Sequence, residues 1–223
     1  MRTDAKPLIW LHGEIKTPSF SAPGRSEAGT LLRRLQLGDH PGMPQSRALP
    51  AIGAACHELR LHHSDFSWRI VYFLDHEAIV ILDVFAKQSR ATPIAVIELS
   101  RLRLAAYRRV LDSKAMKSTT TKRLTRAGWR IGTAQDFLGL STEAAALIEI
   151  RICLSGHLRQ RRIVSGLSQS AFALKMASSQ SRTEKMETAD AAVPLDILIR
   201  ALLALGADAA WIGKALMDWD SHA

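Results

Sequence analysis

Residues 56–87 read CHELRLHHSDFSWRIVYFLDHEAIVILDVFAK and contain three short runs rich in β-branched and aromatic residues. The runs are Cys56–Leu61, Ser67–Leu74 and Ile79–Phe85, each of ordinary strand length. Because the connecting segments are short, we expect neighbouring strands to pair antiparallel. This stretch therefore predicts a small sheet in the first half of the chain.

The alternation of side chains along these strands brings cations together. Glu58 and Arg60 share one face of the first predicted strand. If the strands pair, Arg60 and Arg69 can lie on the same face of the sheet, and Lys87 can join them from just past the third strand. Fixed cations of this kind suit a phosphodiester whose negative charge grows in a transition state. The alternative is that Arg60 forms a solvated ion pair with Glu58 or Asp83.

Further elements flank this predicted sheet. Leu8–Leu11 is an apolar run typical of a strand, and apolar residues within residues 28–35 recur at helical spacing. Residues 39–55 are rich in proline and glycine, which indicates a loop. Thr92 precedes a proline, so we expect Thr92 to be the N-cap of a helix that runs to about Val110.

Beyond a seam near Met116 the sequence takes on a helical character. One predicted helix has an apolar stripe at helical spacing, formed by Leu147, Ile150, Leu154 and Leu158. Gly166 is expected to end this helix, and Ser168 and Ser179 to cap the next two. A final helix is expected to end at Gly206.

The helices that begin after Ser168 and Ser179 have the layout of a helix-turn-helix, whose second helix enters the DNA major groove. Gln suits adenine and Arg suits guanine, and Gln169 is positioned to donate to a backbone phosphate. The predicted DNA-binding residues are Gln169, Ser179, Gln180, Ser181, Arg182 and Lys185. The alternative is a helical bundle whose polar face happens to carry these residues. The turn between the two helices is expected at Ala177–Ser178.

Composition limits the classes of partner. The formal charge is +9, with 16 Lys and Arg against 11 Asp and Glu in residues 1–115 and 14 against 10 in residues 116–223, so each half can meet a polyanion. Cys56 and Cys153 show no metal-ligand spacing, so we expect reduced thiols and neither a zinc site nor a cofactor. No apolar run is long enough to span a membrane, and no signal peptide is visible, so we expect a cytoplasmic protein with no membrane partner.

The first half resembles a known family. Cys-His-Glu-Leu-Arg, Trp-Arg-Ile-Val-Tyr and Phe-Ala-Lys followed by Thr-Pro occur in the order seen in RelE/HigB-type toxins of bacterial toxin–antitoxin systems, with the phage-derived branch nearest. The resemblance covers about residues 8–110 and implies a ribosome-dependent mRNA endonuclease that uses the substrate's own 2′-hydroxyl and needs no metal. The implied catalytic residues are Arg60, Arg69 and Lys87, and the implied RNA-binding or supporting residues are Glu58 and Phe85.

Two points about this site stay open. Gln88 stands where family members often have a second lysine. The general base is not assigned, although histidine is the usual choice near neutral pH. His57 points away from Arg60 by strand alternation, and His62 and His63 are expected in a turn.

The second half is similar, over residues 117–206, to HigA-type antitoxins of the Xre/Cro repressor-like family, which bind their toxin and their operator DNA. The predicted fold class is α+β. A RelE-like domain with a small antiparallel or mixed sheet and helices spans residues 1–112, a linker spans 113–118, and an all-α helix-turn-helix domain spans 119–223.

The function inferred from both halves is a toxin–antitoxin fusion. The expected partners are mRNA on the ribosome, operator DNA, and the antitoxin half itself, through an intramolecular or exchanged contact in a homodimer or larger assembly. The endonuclease is expected to be inactive in the intact chain. The alternative is a transcription regulator in which a catalytically dead RelE-like domain serves dimerisation or sensing.

Overall fold

A computed structural model describes residues 5–15, 17, 20–63, 66–87, 91–112 and 119–220. Its internal contacts divide the chain into two compact units, one ending at Leu140 and the other starting at Ser141. The first unit combines a sheet with helices and the second is helical, so the predicted α+β class is confirmed. The predicted linker at residues 113–118 lies outside the described residues.

One mixed sheet is formed by the six strands of the described chain, in the order β2-β3-β4-β5-β1-β6. The strands are β1 Leu8–Leu11, β2 Ser46–Ala48, β3 Cys56–His63, β4 Phe66–Leu74, β5 Ile79–Ala86 and β6 Trp129–Gly132. β1 runs parallel to β5, whereas the other neighbours are antiparallel. The predicted antiparallel pairing within residues 56–87 is confirmed.

Helices of the first unit cover the sheet. They are α1 Ala22–Gln36, α2 Ile94–Asp112, α3 Thr120–Arg126 and α4 Ala134–Leu138. α2 packs on β5, where Leu104 and Tyr107 join a core that includes Val71 and Val80. Alternate side chains of the strands, such as Leu59 and Ile70, are fully buried on the opposite side, where α1 contacts β3. The sheet is therefore buried on both faces over its central strands.

The segment 119–140 differs from its predicted place. It was expected to begin the second domain, but α3, β6 and α4 belong to the first unit. β6 pairs with β1 over four residues, and Leu124 and Trp129 are buried in the same core as Tyr107. Strand pairing between such distant parts of the chain is not visible in local periodicity, which explains the difference.

The second unit is built from five helices of the described residues. They are α5 Thr142–Val164, α6 Gln169–Lys175, α7 Gln180–Glu187, α8 Leu195–Ala204 and α9 Ala209–Asp220. The core contains Leu154, Leu158, Phe172 and Leu198. The predicted stripe on α5 is wrong at its start, since Leu147 is 51% exposed and Ile148 is buried instead. α9 was not predicted.

Serine caps fix where these helices begin. The hydroxyl oxygens of Ser141, Ser168 and Ser179 accept the backbone N–H groups of Ala144, Ala171 and Arg182. Gly166 adopts φ +68° just after α5. The caps predicted at Ser168 and Ser179 and the predicted stop of α5 at Gly166 are therefore confirmed, and Ser141 caps α5 in the same way.

A buried ion pair joins α5 to α7. The guanidinium of Arg162 donates to both carboxylate oxygens of Glu187, with an Nη2–Oε2 distance of 2.9 Å, and to the carbonyl of Leu167 at 2.7 Å. Fixed bidentate geometry of this kind holds the relative rotation of two helices. The short helix α7 is thus anchored by charge as well as by apolar packing.

Within the described residues, every helix is too short or too polar to cross a lipid bilayer.

We predict that Ala177→Gly stabilises the second unit by about 1 kcal/mol, because Ala177 is held at φ +48° and a Cβ is disfavoured in this region. Hydrogen exchange of amides in α5 and α8 measures the free energy of opening without requiring the two units to unfold together. The control is Ala146→Gly in the exposed helical part of α5, which should cost roughly 0.5–1 kcal/mol. A loss of stability in Ala177→Gly would contradict the assignment of strain to this turn.

Candidate functional sites

The register of β3, β4 and β5 aligns the predicted site residues. Arg60 lies opposite Arg69, and Arg69 lies opposite Phe85, so the three side chains leave the same face of the sheet. The Arg60 amide donates outward to the Gln45 carbonyl at 2.8 Å, which makes Arg60 and Arg69 a non-hydrogen-bonded pair. Cα atoms of such pairs are about 4.5 Å apart, so the structure brings these two arginines together as predicted.

The ammonium group of Lys87 interacts electrostatically with these two arginines. Its amide donates to the Ser67 carbonyl at 2.7 Å, which extends the β4–β5 pairing to the end of the strand. Burial and then the charge of Arg69 lower the pKa of the Lys87 ammonium. Among the described residues, this ammonium forms no hydrogen bond or ion pair, although the charge of Glu58 raises its pKa.

Arg47, Arg60, Arg69 and Lys87 form a cationic cluster, and a buried carboxylate lies at its centre. Glu58 is 1% exposed, and its Oε1 lies 3.1 Å from Nη2 of Arg47 and 3.2 Å from Nε of Arg60. The hydroxyl of Thr92 donates to the second oxygen at 3.2 Å. Glu58 therefore fixes Arg47, Arg60 and Thr92 from three different segments.

The expected alternative for Arg60, a solvated ion pair, describes the structure only in part. Arg60 does pair with Glu58, but that carboxylate is buried. Asp83, the other proposed partner, is paired with Arg103 at 3.1 Å. Burial raises the pKa of Asp83, and Arg103 opposes this shift.

Arg69 is almost completely buried, so its side chain does not reach a ligand at the surface directly. It is 3% exposed, and its Nη1 donates to the Trp68 carbonyl at 2.7 Å while Nε has no hydrogen-bond partner. Burial lowers the pKa of the guanidinium, Glu58 raises it, and Arg60 and Arg47 lower it further. The buried Arg69 therefore adds positive electrostatic potential to the cluster from the layer beneath it, whereas the side chains of Arg60 and Lys87 are nearer to solvent.

The cluster contains two residues that sequence reasoning missed. Arg47 lies on β2 opposite Glu58, in a segment that its proline and glycine content assigned to a loop. Thr92 was expected to cap α2, but the helix begins at Ile94 and the Thr92 hydroxyl binds Glu58 instead. Neither role has a local signal, because both depend on a carboxylate that is distant in sequence.

The described part of the site supplies no imidazole to the cluster. His57 lies on the other face and stacks on Tyr72 with ring centroids 5.5 Å apart, as strand alternation predicted. Burial and then His40 lower the pKa of His57. The side chains of His62 and His63, and Gln88 altogether, lie outside the described residues.

A metal is not suggested by the described side chains, since none of their His, Cys, Asp and Glu residues cluster as ligands would. Cys56 and Cys153 are both buried free thiols. The cluster itself consists of fixed positive charges around one buried carboxylate, which suits an anionic ligand.

Comparison with known families bears on this unit. Residues 18–105 match the sequence model of the family described as Phage derived protein Gp49-like (DUF891). These residues form a Gp49-like domain. The match includes Arg47, Glu58, Arg60, Arg69 and Lys87, so the whole cationic cluster lies within it.

The Gp49-like domain does not account for the whole first unit, because β1 and the segment 119–140 lie outside the match. No curated protein and no solved structure matched the chain.

A second candidate site lies in the second unit, at the start of α7. A groove of about 280 Å³ is lined by Ser179, Ser181, Arg182, Lys185, Ala192 and Val193. Four of the six predicted DNA-binding residues therefore gather around one groove, and Arg182 and Lys185 are exposed there.

The other two predicted DNA-binding residues are engaged inside the unit. The Gln169 amide donates to Glu187 Oε2 at 2.9 Å, which is the carboxylate already bound by Arg162. Gln180 Oε1 accepts the hydroxyl of Ser170 at 2.9 Å. Gln169 thus supports the α6–α7 arrangement, and the signal for this was missed because Glu187 lies 18 residues away.

We predict that Glu58→Gln lowers the free energy of unfolding of the first unit by about 1–3 kcal/mol. The amide keeps the shape but leaves Arg47 and Arg60 without a neutralising charge, and loss of one partner from a fully buried pair costs about 3–5 kcal/mol. Solvent reduces this value here, because the Arg47 side chain is 40% exposed. Urea unfolding followed by tryptophan fluorescence measures the change.

The matched control is Glu14→Gln, which removes the mostly exposed carboxylate that lies 3.6 Å from Arg103 and should cost less than about 1 kcal/mol. Equal losses in the two variants would show that Glu58 does not act as the centre of the cluster.

Proposed function

We propose that this chain is a toxin–antitoxin fusion in which the Gp49-like domain is a RelE/HigB-type mRNA endonuclease acting on the ribosome. The observation that carries the proposal is the alignment of Arg60, Arg69 and Lys87 around one face of the sheet. The ligand that fits this arrangement is a phosphodiester, and the match to a phage-derived protein family supports a toxin component.

The proposed reaction is attack by a ribose 2′-hydroxyl on the adjacent phosphorus, which forms a 2′,3′-cyclic phosphate and breaks the bond to the 5′-oxygen of the next nucleotide. The proton lost by the 2′-hydroxyl is balanced by the proton gained by the 5′-oxygen, which leaves as a hydroxyl. Lys87 and Arg60 contact the non-bridging oxygens, whose charge grows as the bond forms. Arg69 adds positive potential from the buried layer, and Glu58 orients Arg60 rather than acting as the base. Phe85, on the same face, offers a surface on which a base can stack.

The second unit is proposed to be the DNA-binding part of the antitoxin half, with α6 and α7 forming a helix-turn-helix. Arg182 is positioned to read guanine from the start of α7, and Lys185 is positioned to contact phosphate. Because Gln169 is held by Glu187, its proposed part is to orient α7 rather than to bind DNA directly. Operator binding by a homodimer would give autoregulation.

Covalent linkage of the halves favours inhibition. Two binding partners in one chain can meet at an effective concentration of roughly millimolar, so the antitoxin half is proposed to stay bound to the toxin half of the same chain or of an exchanged copy. The intact cytoplasmic fusion is therefore proposed to be inactive as a nuclease.

A second function is favoured by one observation. Arg69 is almost fully buried and Arg60 is paired with Glu58, which fits a structural core in a domain that no longer cleaves RNA. In that case the chain is a transcription regulator whose Gp49-like domain serves dimerisation or sensing.

We predict that a fragment ending at Leu140 cleaves translated mRNA and arrests growth, while the full chain does neither. The fragment is ended there because the segment 119–140 belongs to the first unit. Lys87→Ala in the fragment should lower cleavage about 10²–10³-fold, since it removes a group that stabilises transition-state charge. Ribosome-dependent cleavage is measured by primer extension in a reconstituted translation system.

The matched control is Lys122→Ala, which removes an exposed lysine of α3 and should leave cleavage unchanged. A folded but inert wild-type fragment would favour the regulator over the nuclease.

We predict that Arg182→Ala weakens operator binding by the full chain about 10–100-fold and relaxes the base preference at one position, as loss of a bidentate base contact does. Lys185→Ala should weaken binding to all sequences and reduce the salt dependence by about one phosphate contact. Fluorescence anisotropy at several salt concentrations measures both effects. Lys214→Ala, an exposed change in α9, is the control, and an equal effect at that position would reject the assigned groove.

A further inference from the structure

The segment 119–140 completes the sheet of the first unit from outside its family match. β6 pairs antiparallel with β1 through Leu8–Gly132, Ile9–Ile131, Trp10–Arg130 and Leu11–Trp129. Without β6, β1 would be a sheet edge with unpaired backbone groups and almost completely apolar side chains. The edge therefore needs a partner strand.

Apolar contacts hold this segment against the unit. Trp129 is 2% exposed and meets Tyr107 of α2 edge to face, with ring centroids 5.6 Å apart. Phe137 of α4 meets Trp10 of β1 in the same geometry at 5.2 Å. A segment of this size has too little core to fold alone, so its order depends on these contacts.

Two side chains of α1 form hydrogen bonds with the two ends of α4. The buried side chain of Gln36 accepts the Ala134 amide at 3.1 Å and donates to the Lys6 carbonyl at 2.9 Å. At the other end, Arg25 donates to the Leu138 carbonyl at 3.2 Å. Backbone groups at the ends of a helix have no intrahelical partners, so these two side chains fix the position of α4 against α1.

The fit at β6 is tight at one position. A Cβ on Gly132 would lie 2.8 Å from Oδ2 of Asp136 and 3.0 Å from the ring of Trp10. The Asp136 oxygen is fixed by the backbone amide and hydroxyl of Thr133. A larger residue at Gly132 would therefore push β6 away from β1.

We propose that the segment 119–140 is the toxin-binding element of the antitoxin half, a strand with two short helices that binds the β1 edge without needing the covalent link. Retention of the C-terminal piece is expected from these contacts, whereas its identity as an inhibitor rests on the proposed function. We call the segment an anchor because it attaches to the sheet without covering the cationic cluster. The cluster lies on β2, β3 and β4 and just after β5, whereas the anchor binds β1, towards the opposite edge of the sheet.

The test uses the full-length protein with a Gly/Ser-flanked protease recognition sequence between Asp112 and Thr119. After complete cleavage we expect the two pieces to elute together at micromolar concentration in native size-exclusion chromatography. Trp129→Ala, which empties a buried aromatic site, should weaken their association about 100-fold or more after cleavage. Gly132→Val should also separate the pieces.

The uncut variants serve as folding references, since linkage at roughly millimolar effective concentration keeps the segment in place. Arg126→Ala, an exposed change on α3, is the matched control and should not alter co-elution. If Trp129→Ala unfolds the uncut chain, Gly132→Val alone decides the result.

Separation of the wild-type pieces would overturn the proposal, as would unchanged co-elution of Gly132→Val. This assay contains no RNA or DNA, so it stands apart from the nuclease test. Pieces that stay together while the fragment ending at Leu140 shows no cleavage would reject the proposed nuclease and leave the anchor intact.

Discussion

The buried carboxylate of Glu58 is the interaction on which the first unit depends. Guanidinium groups do not lose their charge at any ordinary pH, so bringing Arg47, Arg60 and Arg69 to one end of a sheet requires a counter-charge in the same place. Glu58 supplies it at hydrogen-bond distance from two of the three. The cost of burying charge is offset locally, and the cluster remains net positive towards solvent.

The second unit uses the same device for a different purpose. Glu187 is buried and holds Arg162 on one side and Gln169 on the other, so α5, α6 and α7 converge on a single carboxylate. In the first unit the carboxylate has exposed cations beside it, whereas in the second unit the carboxylate binds side chains that connect helices within the fold. Polar residues near a candidate interface are therefore not equivalent, and their hydrogen-bond partners separate those that can bind from those that position.

Local sequence signals predicted what is local. Alternation along β3 and β4 predicted that Arg60 and Arg69 share a face and that His57 does not, and cap chemistry predicted Ser168 and Ser179. The roles of Arg47, Thr92 and β6 could not be predicted in this way, because each depends on pairing with a distant segment. The burial of Arg69 was also beyond the pattern, since strand alternation gives the face of a side chain but not the depth of the layer above it.

The strand that closes the sheet comes from beyond Met116, so the change in sequence character and the limit of the folded unit do not coincide. A polypeptide that stopped at the seam would leave β1 as a bare apolar edge, which invites pairing with other chains. We therefore expect an N-terminal piece that lacks residues 119–140 to be prone to aggregation and proteolysis. The sheet of the first unit is complete only when the chain continues as far as β6.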